Sequence, residues 1–277
     1  MRIVSYASER GPRAGVLRGQ QVVDAWDALG GAGASVRDLL GADRLGELAA
    51  ALEGRPAIEG PTLLPPVPDP EKIVGIGLNY RDHAAEAGRE APASPTFFAK
   101  FRNALRADGA TVELPRASAK VDYEAEIAFV VGRRATDVSE AQAVEHIAGL
   151  TLFNDLSARD LQFATPQWMP GKVFDGAAPC GPAIVTLDEA GALDSIGIAL
   201  DLNGARMQEA TTADLIHSIP SLLAHLSRLM TLEPGDLVAT GTPAGVGGAR
   251  EPRVWLASGD ELIVSSPQLG ELRTTIA

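Results

Sequence analysis

The segment Val121-Asp122-Tyr123-Glu124-Ala125-Glu126-Ile127-Ala128-Phe129-Val130-Val131 restricts the fold more than any other part of the chain. Side chains alternate across a strand. Read so, Tyr123, Ala125, Ile127, Phe129 and Val131 form an apolar face, and Asp122, Glu124 and Glu126 stand on the opposite one. The acidic face continues as Ala128 and Val130, so the strand runs into the interior on both sides. Neighbouring carboxylates beside a buried sheet repel and raise each other's pKa. Something must compensate them, and a hard divalent cation is the economical partner for carboxylate oxygens. The plainer alternative is a solvated strand end carrying surface acids.

A further carboxylate follows in Leu150-Thr151-Leu152-Phe153-Asn154-Asp155, where an apolar strand delivers Asp155 at its end. Arg159 and Gln162 come four and seven residues later. A helical turn beginning at Asp155 would set all three on one face. A carboxylate, a guanidinium and an amide together suit a metal and a substrate carboxylate. A capped helix start with an internal Asp–Arg pair fits equally well. His83 and Glu86 stand three residues apart in a short helical stretch, the arrangement of an acid/base dyad or of a simple helical ion pair. Lys172 lies in a turn-rich segment, where it either holds a developing negative charge or is a surface cation. His146, His217 and His225 read as structural histidines. Cys180, the single cysteine, has no basic neighbour and reads as a packing residue.

Two glycine-rich stretches lack the residues of nucleotide-binding motifs. Gly75-Ile76-Gly77 has no third glycine, and Gly241-Thr242-Pro243-Ala244-Gly245-Val246-Gly247 has no Lys-Ser/Thr behind it.

Around these segments the chain is strand-rich. Strands are expected at 72–77, 124–131, 150–154, 183–186, 196–202, 236–240, 261–265 and 271–276, bounded by Gly, Pro, Asn or Asp. Helices are scarcer: near 82–87, near 139–146, and over 212–230 with a break at Pro220. This density favours a mainly β core over a doubly wound sheet. Residues 61–70 contain five prolines, which suit neither an interior helix nor a central strand. They are read as an extended linker between a small N-terminal α/β unit, residues 1–60, and a catalytic domain, residues 71–277. The N-terminal unit shows no catalytic constellation and reads as a packing or dimerisation appendage.

Charge narrows the function. With 24 Lys and Arg against 36 Asp and Glu, the formal charge is −12. Nucleic acid is therefore not an expected partner, because phosphate binding needs a basic face. An acidic small ligand would need a local cluster of cations. No run approaches the ~20 apolar residues of a bilayer span, and the N-terminus lacks the apolar core of a signal peptide. One cysteine excludes a disulfide framework or a Cys-rich metal site. A cytoplasmic protein with no membrane partner is the expectation.

Taken together, GLNYRDHAAE (77–86), PTFFAKFRNAL (95–105), DYEAEIAFVVG (122–132), NDLSARDLQ (154–162), GKVFDGAAPCGP (171–182) and TLEPGDLVATGTPAGVG (231–247) resemble the fumarylacetoacetate hydrolase family, collinearly over about residues 70–277. The N-terminal unit is similar to that of bacterial-type members. The resemblance implies an α+β fold, mainly β, with mixed sheets rolled into a barrel-like core and assembled as a homodimer. It implies Mg²⁺ or Mn²⁺, with Ca²⁺ in some members, held by Glu124, Glu126 and Asp155, with Asp122 not a ligand. His83 and Glu86 match a water-activating dyad on a lid-like helix, and the 81–95 segment is expected to order over bound substrate. Lys172 matches a lysine that stabilises developing negative charge. Arg159, Gln162, Thr242 and Lys100 match substrate-contacting positions. The implied reaction is metal-dependent hydrolysis of a C–C bond in a small 2,4-dioxo acid, acylpyruvate or fumarylpyruvate-like, through a metal-bound enolate, of the kind met in aromatic-compound catabolism. The family also contains oxaloacetate decarboxylases and 5-carboxymethyl-2-hydroxymuconate-type isomerases, which the metal triad alone does not separate.

Overall fold

The computed structural model describes residues 1–277. Its centre is one twelve-stranded mixed sheet. Along its main path the strands run Ile58–Glu59, Gln21–Asp24, Gly11–Arg18, Arg2–Ser8, Ala178–Thr186, Ile147–Asn154, Ala125–Val131, Leu237–Ala239, Ile73–Gly77 and Thr96–Lys100. Leu63–Leu64 pairs off this path with Arg2–Ser8, and Leu105–Arg106 with Ala178–Thr186. The path has two free ends, so the sheet does not close into a barrel. A five-stranded sheet, Ala205–Thr211, Gly197–Leu202, Glu261–Ser266, Gly270–Ile276 and Ala110–Val112, packs over its middle. Covered this way, Ala125–Val131 and Ile147–Asn154 are buried along their whole length. That coverage explains the apolar residues on both faces of the first of them.

The N-terminal unit packs against the central sheet on the far side of residues 61–70. Arg2 and Ile3 pair with Val185 and Ile184, which joins the N-terminal hairpin directly to the central sheet. The proline-rich stretch is extended, yet it is packed: Leu63 and Leu64 pair with Tyr6 and Ser5, and Val67 is fully buried. The main hydrophobic core runs from Ile3 and Trp26 to Val264 and Ile276, with a smaller cluster of Val4, Tyr6, Val22 and Ala183 beside it. The expected break at Pro220 is corrected. Ile219–Leu229 is one helix with Pro220 in its first turn, where a missing N–H leaves no bond unmade. Ser218 caps it by accepting from the Ser221 amide at 3.3 Å.

Register sets the site. Ala125–Val131 is antiparallel to Ile147–Asn154, with Ala125 opposite Asn154. The start of one strand therefore meets the end of the other, and the Asp155 amide donates to the Glu124 carbonyl at 2.8 Å. Leu237–Ala239 runs antiparallel to Ala125–Val131 and parallel to Ile73–Gly77. The carboxyl ends of three strands thus open onto the edge where Glu124 begins. The residues that follow them are Leu78–Glu86, Asp155–Gln162 and Thr240–Gly248. No helix is long and apolar enough to cross a membrane.

Candidate active site

Glu124, Glu126 and Asp155 are buried and each brings one carboxylate oxygen within 4.8 Å of the others. They are not equally compensated. Glu124 accepts from Lys172 Nζ at 2.7 Å and pairs with Arg159 Nη1 at 2.7 Å. Burial opposes its ionisation, but these two cations hold its carboxyl well below the usual carboxylate range. Asp155 is gripped by Lys100 at 2.5 Å and by Lys172 at 2.8 Å. Glu126 has no cationic partner, and its one hydrogen bond comes from the Gly241 amide at 2.8 Å. Burial, with the charges of Asp155 and Glu124, pushes its carboxyl well above the ordinary range. With Asp122 included, four carboxylates face three cations. This donor set fits a hard divalent cation: three buried oxygens converge, one carboxylate lacks a counter-charge, and no thiolate or imidazole is among them.

Burial disfavours the charged Lys172 ammonium, but Asp155 and Glu124 outweigh that and raise its pKa. It also lies 5.0 Å from the centre of the Phe98 ring. Lys100 differs. Burial and the repulsion of Lys172 outweigh the pull of Asp155 and lower its pKa. Neither Lys100 nor Asp155 borders the cavity, and the Lys100 ammonium pairs with the Asp155 carboxylate.

Asp155 does not start a helix. Ser157–Ala158 first pairs with Val121–Asp122, and the helical turn is Arg159–Gln162. Arg159 reaches Gln162 Oε1 at 2.9 Å and Asp122 Oδ2 at 2.8 Å. Asp122 is fully buried and is not among the converging oxygens of the triad. It accepts from Arg159 and from the amides of Gly247 and Gly248, at 2.7 and 3.0 Å.

His83 and Glu86 lie on the Arg81–Glu86 helix with His83 Nδ1 2.9 Å from Glu86 Oε2. The other Glu86 oxygen accepts from the Gly245 amide at 2.9 Å. Burial opposes ionisation of Glu86, but the His83 ring and this amide hold its carboxyl below the usual range. Further along, His217 Nε2 bonds the Pro92 carbonyl at 3.0 Å, which anchors the segment after the helix.

The glycine-rich stretch is the part sequence reading undervalued. It binds no phosphate motif, yet its amides do what such loops do, which is to meet anions. Gly241 holds Glu126, Gly245 holds Glu86, and Gly247 and Gly248 hold Asp122. Gly245 has φ of +103°, and a Cβ there would stand 2.2 Å from the Met207 carbonyl oxygen. Gly245→Ala is therefore expected to lower stability by at least roughly 1–3 kcal/mol in urea unfolding and to loosen the Arg81–Glu86 helix in hydrogen exchange. Gly259→Ala, at φ +94° but in open space, separates backbone strain from the clash.

Two buried amides were also missed. Asn79 donates to the carbonyls of Thr240 and His217 at 2.8 and 3.1 Å and accepts from the His217 amide at 2.8 Å. Gln208 donates to Thr242 Oγ1 and the Pro243 carbonyl, both at 2.8 Å, and accepts from the Ala125 amide at 3.0 Å. Gln208 ties the loop to the strand that carries Glu126, and Asn79 ties Thr240 to the segment around His217. No local signal marks either one. Cys180 is buried, and burial pushes its thiol up to about 12, so it is inert.

A cavity of about 520 Å³ is bordered by His83, Glu86, Glu124, Glu126, Lys172 and Thr242, with Arg159 and Gln162 beside them. The His83–Glu86 pair, two of the acids and two of the three neutralising cations thus face one space.

Residues 72–277 match the family model described as fumarylacetoacetate (FAA) hydrolase C-terminal. A fumarylacetoacetate hydrolase domain-containing protein 2 homolog of Dictyostelium discoideum is 42% identical over 215 residues, covering 74% of this chain and 70% of that protein. A mitochondrial oxaloacetate tautomerase of Xenopus laevis is 38% identical over 217 residues, covering 78% and 68%. Among solved structures, fumarylacetoacetate hydrolase from Exiguobacterium antarcticum superposes with a TM-score of 0.88 at 30% identity, over 100% of this chain and 99% of that one. A 5-carboxymethyl-2-hydroxymuconate delta-isomerase from Mycobacterium smegmatis gives 0.80 at 30%, over 100% and 98%. Maleylpyruvate hydrolase from Sphingobium sp. SYK-6, in complex with manganese(II) ion and pyruvate, gives 0.82 at 28%, over 100% and 99%.

Proposed function

This chain belongs to the fumarylacetoacetate hydrolase family, and from that premise we propose that it is a divalent-cation-dependent hydrolase cleaving a C–C bond of an acylpyruvate or fumarylpyruvate-like 2,4-dioxo acid. The observation that carries this reading is the hydrogen-bonded His83–Glu86 pair, which borders the same cavity as the buried carboxylates. Isomerisation and decarboxylation need no activated water, so a base held ready for one favours hydrolysis.

Glu124, Glu126 and Asp155 would hold the cation, which when bound supplies Lewis acidity to the oxygens of the substrate. The chain's own groups do the rest. The Gly245 amide fixes Glu86, and Glu86 fixes the His83 ring through Nδ1, which leaves Nε2 as the free base. Nε2 takes a proton from water as the water oxygen bonds to the carbonyl carbon of the acyl group. The C–C bond then breaks, and its electron pair leaves as the enolate of the pyruvate-like fragment, which a proton returns to the keto acid. Lys172 and Arg159 are the cations beside Glu124 that face this developing charge, and Gln162 and Thr242 border the substrate space. The products are a carboxylic acid and a 2-oxo acid.

The test is a panel of acylpyruvates, fumarylpyruvate, oxaloacetate and 5-carboxymethyl-2-hydroxymuconate, assayed with Mg²⁺ or Mn²⁺ and again after chelation. The expected result is release of pyruvate from the 2,4-dioxo acids, lost with chelator and restored by either ion. The competing reading is proton shuttling by the same His83 without cleavage, favoured by the likeness to an oxaloacetate tautomerase. Turnover confined to oxaloacetate or the muconate would establish it instead.

A further inference from the structure

Gln208 is the one buried residue of the edge strand Ala205–Thr211. A side-chain amide so placed is costly unless its groups are paired, and here they are. The Ala125 N–H only donates, so the Gln208 atom 3.0 Å from it is the amide oxygen. The Pro243 carbonyl only accepts, so the Gln208 atom 2.8 Å from it is the amide nitrogen. Two backbone groups of opposite character thus fix which way the amide faces. The second hydrogen of the nitrogen then goes to Thr242 Oγ1, also at 2.8 Å.

This chain of bonds has a consequence for the hydroxyl. Thr242 Oγ1 receives a hydrogen from Gln208, so its own hydrogen points elsewhere. That hydrogen meets no acceptor within the protein, although Thr242 is buried. The amide beside it, Gly241, is already spent on Glu126. Thr242 borders the cavity and Gln208 does not. The cavity wall therefore presents an O–H whose acceptor comes from a ligand. A freely turning threonine hydroxyl donates or accepts as its surroundings ask, and Gln208 removes that freedom from behind.

We propose that Gln208 is a positioning residue: by donating to the Thr242 oxygen it sets the hydroxyl as a hydrogen-bond donor into the cavity, toward an oxygen of a bound oxo acid. This rests on the reading that the cavity receives an oxo acid, and not on which reaction follows. Gln208 itself touches no ligand, so its effect on binding passes through Thr242. Without the amide the hydroxyl turns freely, and part of the bound population loses the bond.

The experiment is the affinity of pyruvate for the Mn²⁺-loaded protein, read from paramagnetic relaxation of the pyruvate methyl protons. It is measured for the wild type, Gln208→Met, Thr242→Val and the double variant. Thr242→Val keeps the shape without the hydroxyl and is expected to weaken binding roughly tenfold, the worth of a hydrogen bond to a charged acceptor. Gln208→Met keeps the bulk without the amide and should weaken it roughly three- to tenfold. In the Thr242→Val background the same substitution should cost less than about twofold, because its route to the ligand is already gone. A residue that merely braced the fold would cost the same in both backgrounds. Gln208→Met also strips the partners from the Ala125 amide and the Pro243 carbonyl, so thermal unfolding should come earlier in both backgrounds alike. Should that variant fail to fold, Gln208→Glu keeps the size and repeats the cycle with the same expectation, since a carboxylate accepts from the hydroxyl and turns its hydrogen out of the cavity. Equal losses from the Gln208 substitution with and without the Thr242 hydroxyl, or full pyruvate affinity in Thr242→Val, would overturn the proposal and leave the functional reading standing. Failure of the wild type to bind pyruvate would overturn both.

Discussion

Glu126→Gln is expected to abolish turnover while leaving the fold intact or firmer. Glu126 is the carboxylate of the triad without a cationic partner, and burial and its neighbours already disfavour its charge. The amide keeps the shape and can still accept from Gly241, while the repulsion with Glu124 and Asp155 disappears. Thermal unfolding should therefore shift little or upward. Cation binding should suffer, since the site loses a formal charge and an anionic oxygen. Mn²⁺ affinity, read by calorimetry, should fall by more than the roughly 10–100-fold typical of losing an outer-sphere partner of a ligand, and turnover should drop below detection. A variant with full Mn²⁺ affinity would show that the three carboxylates are an internal charge network and not a metal site.

His83→Ala should remove most of the C–C hydrolysis, by roughly the 10²–10⁴-fold attributable to a general base. Mn²⁺ affinity should be unchanged, because His83 contacts Glu86 and none of the three acids. Enolisation of the bound dioxo acid should survive in part, because Lys172 and the carboxylate floor are untouched. The variant is expected to bind substrate and shift its ultraviolet spectrum, then stall before cleavage. Glu86→Gln should give a milder loss in the same direction, since the ring loses orientation and basicity but not its place. Full acylpyruvate turnover by His83→Ala would refute the water-activating role.

The grouping of the three acids was legible because Glu126 lies on an apolar strand while Glu124 and Asp155 stand one residue beyond strand ends. The alternation in Val121–Val131 put Glu124 and Glu126 on one face, and antiparallel pairing of two apolar strands then brought Asp155 beside them. The spacing of His83 and Glu86 was equally local. The helix at Asp155 was misplaced because Ser157 and Ala158 first pair with Val121 and Asp122, a contact set by partners 35 or more residues away. The glycine loop left no readable trace, because its donors are backbone amides that every residue but proline carries. Asn79 and Gln208 look like any surface amide until the fold buries them. Prolines at 61–70 correctly forbade an interior strand, but nothing in their composition distinguishes a free linker from a segment lying on a sheet edge.

The pairing of Arg2–Ser8 with Ala178–Thr186 bears on how the protein can be handled. The family match begins at residue 72, which invites production of residues 72–277 alone. That cut would strip the partner from Ile184 and Val185 and leave an apolar strand edge open beside the strand that leads to Asp155. Unpaired strand edges recruit strands from neighbouring molecules. The shortened chain would keep Glu124, Glu126, Asp155, His83 and Glu86 yet expose that edge, and it is expected to precipitate more readily than residues 1–277.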